Sequence, residues 1–532
     1  MNPVTVPAGQ CLPLVRVAPG DVDPLALFTA LTGGGLKQDT LLLESGDRTT
    51  QQGEKSLLVV GAALRARAFG RAVEVNPLNP NGRSLLPWLA EQLRDEAEVQ
   101  MNGDGLRISY APCIHAEEEA RLLAPSPVGV LRALVRRQTV AGGHLAMGPM
   151  AAGLFAYDLL AAHESLPEAQ GAPLSWPDYE FWLPDQVVWL NHRTGGATLI
   201  AQVFGGSESA TAYHDATAFI ARASKVLDEV RSGRAPAQRP QRPPVAPVEP
   251  ETDLDDSAYA ALVEKLKGNI RAGDVIQVVP SRTFSVPCPD PLGAYKALRD
   301  LNPSPYMFYV NSAFGTVFGA SPETAVRVTG MPARVEIRPI AGTRPRGVGP
   351  GGEPDADLDS RLEAELRLNP KEVAEHMMLL DLARNDVARV CKPGTRRVDR
   401  LLQVDRYSHV MHLVSVVSGE LRDGLDGLSA YTASMNMGTL TGAPKLKAAE
   451  LLRLHEPSRR GPYGGCVGYF GHDGTFDSCI LIRSALVREG RAQVRAGAGV
   501  VYDSDPAAEA DETRRKAQAV LQAIAVAAGE GA

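Results

Sequence analysis

The sequence predicts an α+β protein in two lobes. Three observations carry that expectation. A chain of 532 residues exceeds what one core of ordinary size organises. Strand-type runs and amphipathic helical runs are mixed from the first region onward. Composition then breaks between Arg234 and Pro250, which are rich in Pro, Ala, Gln and Arg and show no apolar period. Such a stretch is an exposed, semi-extended linker. The organisation expected is a smaller N-terminal lobe over 1–233, a linker over 234–252 and a second domain over 253–528.

In order, Thr40–Ser45 reads as a strand ending in a polar pair, and Leu57–Gly61 as another. Val187–Leu190 and Ala197–Ala201 flank Thr194-Gly195-Gly196, a hairpin signal. Ala210–Val230 has helical periodicity. Beyond the linker, Ser257–Ala272 places Tyr259, Leu262, Val263, Leu266 and Ile270 on one helical face. Val275–Val279 reads as a buried strand, and Asn302–Tyr309 as a rigid turn entering a strand. Gly319–Glu323 is a turn before Ala325–Val328. Pro339–Gly347 reads as tight and irregular, and 349–357 as a loop. Gly438–Lys445 opens a helix running to about His455, whose free N–H groups and Lys445 offer an anion site; the spacing is not that of a Walker A loop. Gly461–Phe470 leads into a strand, Cys479–Val487 is its expected neighbour, and Ala492–Val501 is a third, interrupted by Gly497-Ala498-Gly499, where backbone can approach a ligand.

Composition sets bounds on function. Hydrophobic content of 44% and charged content of 22% are those of an ordinary globular protein. A net charge of −7 and a pI near 5.9 argue against nucleic acid or an anionic membrane as partner. Six cysteines without CxxC or zinc spacing point to reduced thiols in a cytoplasmic compartment. The start lacks a signal-peptide pattern, and no apolar run is long enough to span a bilayer. Gly464–Gly468 spells G-x-C-x-G, but strands rather than a strand–helix turn surround it, so Cys466 reads as a small buried residue.

Two acidic helix starts stand out. Asn369 is a good N-cap, Pro370 suits the first helical position, Glu372 would complete a capping box, and Met378, Leu379 and Leu382 would form the buried face. Glu372 and Glu375 are three apart, so both leave one side of the helix. Asp505-Pro506 opens a second helix with Glu509 and Glu512 in the same relation. Such pairs suit a hard cation such as Mg²⁺; they equally suit solvated helix ends, where acids complement the helix dipole.

Several strings taken together are more specific. IQVVPSR, NPSPYMFY, GASPE, PIAGTRPRG, EHMMLLDLARND, DRYSHVMHLVS, GTLTGAPK, RRGPYGGCVGYF, ILIRSALV, AGAGVVYDSDP and EADETRRKA occur in that order. They resemble the chorismate-utilising enzymes, most closely the large subunit (component I) of anthranilate synthases, with the match strongest from about Gly273 to Ala525. Thr441 and Cys466 depart from the usual Ser and Ala of that family. The resemblance implies a chorismate-utilising fold of β-sandwich-like sheets flanked by helices. It also implies amination of chorismate to anthranilate with loss of pyruvate, Mg²⁺ as cofactor, and ammonia from a glutamine amidotransferase subunit in a hetero-oligomer.

The same resemblance implies site residues. Glu375 and Glu512 would ligate the metal, with Glu372 and Glu509 holding its waters. Lys516 would approach the ring carboxylate. Arg483, Tyr463, Gly497, Ala498 and Gly499 would hold the enolpyruvyl carboxylate, and Gly342 and Thr343 would line the ring. Glu323 would protonate the departing hydroxyl, with His412 and Thr439 beside the ring. Relatives that add water carry a lysine base in the strand that here holds Gln277, which cannot act as a base. Relatives that form a covalent intermediate carry a lysine where this chain has Ala341. Both differences point to direct attack by ammonia; an enzyme that stops at the aminated intermediate, an aminodeoxyisochorismate synthase, is the alternative. Glu44, Ser45 and Lys55, with Pro305, Tyr306 and Met307, match the family's pocket for tryptophan as feedback inhibitor.

Overall fold

Strand pairing joins the two ends of the sequence. The structure, a computed structural model, describes residues 4–46, 54–113, 117–143, 148–170, 176–234, 249–349, 353, 355–407 and 410–529. The expected linker therefore lies mostly outside the described residues, as does part of the expected loop 349–357. Among the described residues, 23 strands join in one hydrogen-bonded network, antiparallel except where Gln10–Cys11 runs parallel to Thr139–Val140. A further pair joins Gln277–Val278 to Gly442–Ala443. This is the mixed α+β architecture expected, with a large antiparallel sheet.

Thr40–Glu44 lies between Lys55–Phe69 and Tyr306–Ser312, with Leu42 opposite Tyr309 and Glu44 opposite Met307. Met150–Phe155 pairs in the same way with Cys466–Gly471. Three apolar clusters hold the layers. One consists almost wholly of strand side chains, among them Leu41, Val59, Leu154, Phe308, Val317 and Leu481. In another, the helices Ser209–Arg231, Pro291–Leu301 and Pro506–Ala527 contribute Phe219, Tyr295, Leu298 and Val520. In the third, the helix Pro370–Val390 buries Leu380, Ala383, Val387 and Val390. The buried face of that helix is thus His376, Leu379, Leu380, Ala383 and Val387; Met378 and Leu382 are only half-buried.

The hairpin around Thr194-Gly195-Gly196 and the helices at 209–231 and 256–272 form as the periodicity predicts. Gly319–Ser321, expected as part of a turn, instead ends the strand Gly315–Ser321; four further stretches differ, each for a local reason. The run Val275–Val279 keeps only a two-residue strand, because its partner Gly442–Ala443 is that short. Gly442 permits the contact: it takes φ +124°, and a Cβ there would stand 2.1 Å from the Gln277 carbonyl oxygen. The helix expected from Gly438 to His455 is consequently split into Gly438–Thr441 and Lys445–His455. Lys445 is buried and donates to Asp386 Oδ2 and to the Ser434 carbonyl, each at 2.6 Å, so it serves a buried ion pair and not an anion site. Pro339–Gly347 contains a strand, Ile340–Pro345, whose ladder with Val410–Val414 shifts at Gly342. Cys479–Val487 is not continuous: it breaks into Phe476–Ile480 and Ser484–Arg488 at Arg483, which has φ +50°.

Candidate active site

Two helix N-termini present the acids. Asn369 caps its helix by accepting from the Lys371 and Glu372 backbone N–H groups, and Asp505 accepts from that of Ala508. The Glu372 carboxylate does not close a capping box; it accepts from Arg344 Nη1 at 2.9 Å. Glu375 Oε1 accepts from Gln277 Nε2 at 3.1 Å. On the second helix, Lys516 Nζ lies 2.7 Å from Glu512 Oε1 and donates to the Gly497 carbonyl at 3.0 Å.

Electrostatics couple these groups. Burial, aided by the charges of Glu372 and Glu512, raises the Glu375 carboxyl above its ordinary range, against the pull of Lys516. Burial and the neighbouring Glu512 likewise raise Glu509, opposed by a hydrogen bond from Ser504 and by the charge of Lys371. For Glu512, burial acts upward too, but Lys516, Arg515 and Lys371 outweigh it and hold the group low. The carboxylates are thus crowded together, with Lys516 a counter-charge common to Glu375, Glu509 and Glu512 and with Arg344 paired to Glu372.

The opposite wall is cationic and hydrogen-bonding. Arg483 carries its guanidinium on a left-handed residue between two strands; burial lowers its pKa, and Tyr463 and Glu512 oppose the shift. The Tyr463 hydroxyl lies 3.1 Å from where a Cβ of Gly497 would stand, which puts it against the glycine strip. The His412 ring meets Thr343 Oγ1 at 2.9 Å through Nδ1. Burial first, and the Arg483 charge second, lower its pKa to about 4, so the ring is neutral at physiological pH. The Gly342 backbone accepts from that ring, which opposes the fall, and Gly342 adjoins Glu372, whose Oε2 would lie 3.2 Å from an added Cβ. Glu323 is buried, and desolvation pushes its carboxyl up to about 8, against the Thr439 hydroxyl, the Ile340 backbone and the Lys516 charge. Thr439 Oγ1 lies beside that carboxyl without a hydrogen bond of full geometry. The four acids, the glycine strip, Lys516, Arg483, Tyr463, His412, Thr343, Glu323, Thr439 and Gln277 are thereby linked in one network. Arg344, Ser504 and Lys371 belong to it and carry no sequence signal of their own: charged and hydroxyl residues beside a helix start are too common to single out.

A second cavity of about 260 Å³ opens beside the Thr40–Glu44 strand. Glu44, Ser45, Lys55, Pro305, Tyr306 and Met307 all line it. Glu44 is already engaged, by the Tyr295 hydroxyl and by Arg299 at 3.2 Å. Trp189, Tyr469, Arg327 and Asp477 also line it, and Trp189 and Tyr469 meet edge-on at 5.2 Å. Only long-range strand register brings these four in, such as Arg327 opposite Asp477, so local sequence could not reveal them. Pro305 also borders a smaller cavity, about 30 Å³, which His412 and Arg483 line.

A buried acid, a neutral imidazole, a half-buried arginine and two acidic pairs in one network define an enzyme acting on a small anionic molecule. Residues 104–522 match the model of the chorismate-binding enzymes. Component 1 of anthranilate synthase from Vibrio parahaemolyticus is 47% identical over 98% of this chain and 94% of that relative. The pyocyanine-specific component 1 from Pseudomonas aeruginosa is 46% identical over 92% of this chain and 91% of that relative. The crystal structure of anthranilate synthase component I from Streptococcus pneumoniae superposes with a TM-score of 0.67 at 25% identity, covering 88% of this chain and 92% of that one. The chain belongs to the chorismate-binding enzyme family.

Proposed function

We propose that this chain is the large, chorismate-aminating component of an anthranilate synthase, converting chorismate and ammonia to anthranilate, pyruvate and water. The observation that carries this reading is the meeting of Glu375, Gln277, Glu512 and Lys516 at the Gly497–Gly499 strip, facing Arg483. Chorismate is a dianion, and this cleft has a cationic or cation-seeking group for each end. Arg483 and Tyr463, with the N–H groups of the strip, take the enolpyruvyl carboxylate. Lys516 approaches the ring carboxylate. Glu323, kept protonated by burial, gives its proton to the ring hydroxyl as it leaves. His412, neutral and held by Thr343, hydrogen-bonds beside the ring, and Thr439 steadies Glu323. Gln277 and Ala341 provide neither a base for water nor an amine for a covalent step, so ammonia attacks directly.

Mg²⁺ fits the acids. Among the described residues no three His, Cys, Asp or Glu side chains form a ready cage. A hard cation that keeps its waters and borrows a substrate oxygen needs only one or two carboxylates; burial, with repulsion from Glu372 and Glu512, raises Glu375, and such an ion would relieve both. Glu375 and Glu512 would hold it, with Glu372 and Glu509 on its waters. Bound there, it would neutralise the ring carboxylate.

Ammonia comes from a glutamine amidotransferase subunit, in keeping with the "component 1" of the relatives' names, and the two form a hetero-oligomer. Cysteines held as thiols and the lack, among the described residues, of any helix long and apolar enough to cross a membrane suit work in the cytoplasm. The segment 1–233 acts as a regulatory lobe whose 260 Å³ cavity takes tryptophan: the Pro305-Tyr306-Met307 shelf for the indole, and Ser45, Glu44 and Lys55 for the amino-acid end. Pro305 borders both cavities, so a ligand on the shelf shifts the wall beside His412 and Arg483 and lowers chorismate affinity. Ser45→Phe should fill this cavity and weaken tryptophan inhibition by about tenfold or more, a loss of roughly 1.4 kcal/mol in binding. Inhibition curves against chorismate concentration check this; an unchanged curve removes the assignment.

The direct test of the activity is product fluorescence on mixing the chain with chorismate, Mg²⁺ and ammonium at mildly alkaline pH. Anthranilate should form without the partner, and glutamine should substitute for ammonium only when the partner is added. Accumulation of a non-aromatic amine would instead identify an enzyme that stops before pyruvate elimination.

A further inference from the structure

We propose that the side-chain oxygen of Gln277 seats the ammonia nucleophile, accepting one of its hydrogens and turning the nitrogen lone pair toward the ring. The proposal rests on the reading above that ammonia is the attacking species. Gln277 is 1% exposed and fixed by its two-residue pairing with Gly442–Ala443. The two ends of its amide are distinguishable. Nε2 donates to Glu375 Oε1 at 3.1 Å, and a carboxylate can only accept, so nitrogen must face Glu375 and oxygen must face away. That oxygen, Oε1, is buried and has no hydrogen-bond partner. Buried polar atoms are satisfied in folded proteins, so an orphan acceptor in a cleft marks a place for a donor that arrives with the substrate.

The surroundings make room for the amide. A Cβ at Gly499 would stand 2.7 Å from Gln277 Nε2 and 3.5 Å from Glu375 Oε1, so the absence of a side chain there leaves room for the amide between the acids and the glycine strip. Ammonia has three hydrogens to donate and one lone pair, which must stay free to attack. It therefore needs acceptors and no donor. A carboxylate would meet that need badly, because it favours the ammonium ion, whose lone pair is occupied by a proton. An amide oxygen is neutral and holds ammonia without recruiting that proton. Water can donate to the same oxygen, but the amide cannot take the proton that water must lose on attack, so the site discriminates against it. In the step itself a C–N bond forms and the ring C–O bond breaks. The hydroxyl leaves as water with the proton of Glu323, and the new ammonium group releases one proton to solvent, from which Glu323 is reprotonated.

The test uses the full chain with Mg²⁺ and chorismate, with ammonium chloride varied at several pH values and anthranilate fluorescence as readout. Gln277→Met keeps the length and removes the acceptor. It should raise the KM for free ammonia by about tenfold or more while the chorismate KM stays within about twofold. Gln277→Glu should make the free-ammonia KM worsen as pH falls, because ammonium competes for the carboxylate, whereas the native enzyme's value stays flat. A free-ammonia KM that Gln277→Met leaves within about twofold of native overturns the proposal, as does a parallel rise in both KM values, which would mean that the amide only braces Glu375. Should Gln277→Met fail to fold, the pH pattern of Gln277→Glu decides alone, a flat profile being the overturning result. A native chain that yields no anthranilate from ammonia would instead strike the functional reading itself.

Discussion

Glu375→Gln and Glu512→Gln should each reduce ammonia-dependent turnover by about a thousandfold. Each change keeps the size of the side chain and removes one anionic oxygen donor. The Gln277 contact survives in Glu375→Gln, since a glutamine oxygen still accepts from Nε2, so local packing is retained. Stability is expected to rise slightly for Glu375→Gln. The native carboxyl is raised by burial and by Glu372 and Glu512, a strain that the neutral variant no longer carries. Glu372→Gln and Glu509→Gln should cost less, about ten- to a hundredfold, and excess Mg²⁺ should recover part of that loss. Turnover measured across an Mg²⁺ titration, alongside thermal melts, separates these outcomes. Near-native turnover by both Glu375→Gln and Glu512→Gln would remove the acids from the mechanism, whereas loss of turnover with a lowered melting temperature would reassign them to folding.

What was legible in advance follows the range of the interactions involved. The helix at 209–231 is encoded by 3.6-residue periodicity, that at 370–390 by its cap, and the hairpin at Thr194–Gly196 by its turn, all within a few residues. The pairing of Thr40–Glu44 with Tyr306–Ser312 depends on partners far apart in the chain, and no local pattern states it. The same limit hides Trp189, Tyr469 and Asp477 from any reading of the second cavity. At Arg483 the apolar run Cys479–Val487 looks like one strand; only the backbone geometry exposes the left-handed break that aims the guanidinium. Family strings named the candidate site residues, but not their charge states. That Glu323 sits protonated and His412 neutral follows from burial, which depends on the packed structure. Gln277 shows the difference most plainly. In the sequence it is only the absence of a base; in the fold it is an amide with one end bound to Glu375 and the other end unpaired.

Glu323→Gln is the second large expected effect, a fall in kcat of about a hundred- to ten-thousandfold, as for loss of a general acid. The pH dependence carries the diagnosis. Desolvation raises Glu323 from an ordinary 4.5 to about 8, so the proton-bearing form is present below about 8 and disappears above it. At a fixed concentration of free ammonia, native kcat should therefore fall as pH rises through about 8, and that limb should be absent from the residual activity of Glu323→Gln. Holding free ammonia constant is essential, because ammonium itself deprotonates in the alkaline range and would mask the fall. Stability gives an independent check with a definite sign. The folded state holds the Glu323 proton more tightly than the unfolded state does, so its contribution to stability is whole below the ordinary carboxylate value of 4.5 and is lost progressively toward about 8. Glutamine carries no such term. Melting temperatures of Glu323→Gln should thus gain on native between pH 4.5 and about 8 and keep a constant lead beyond it. If the stability difference behaves this way while the kinetic limb persists in the variant, Glu323 is buried and protonated as described, but the proton for the departing hydroxyl comes from another group.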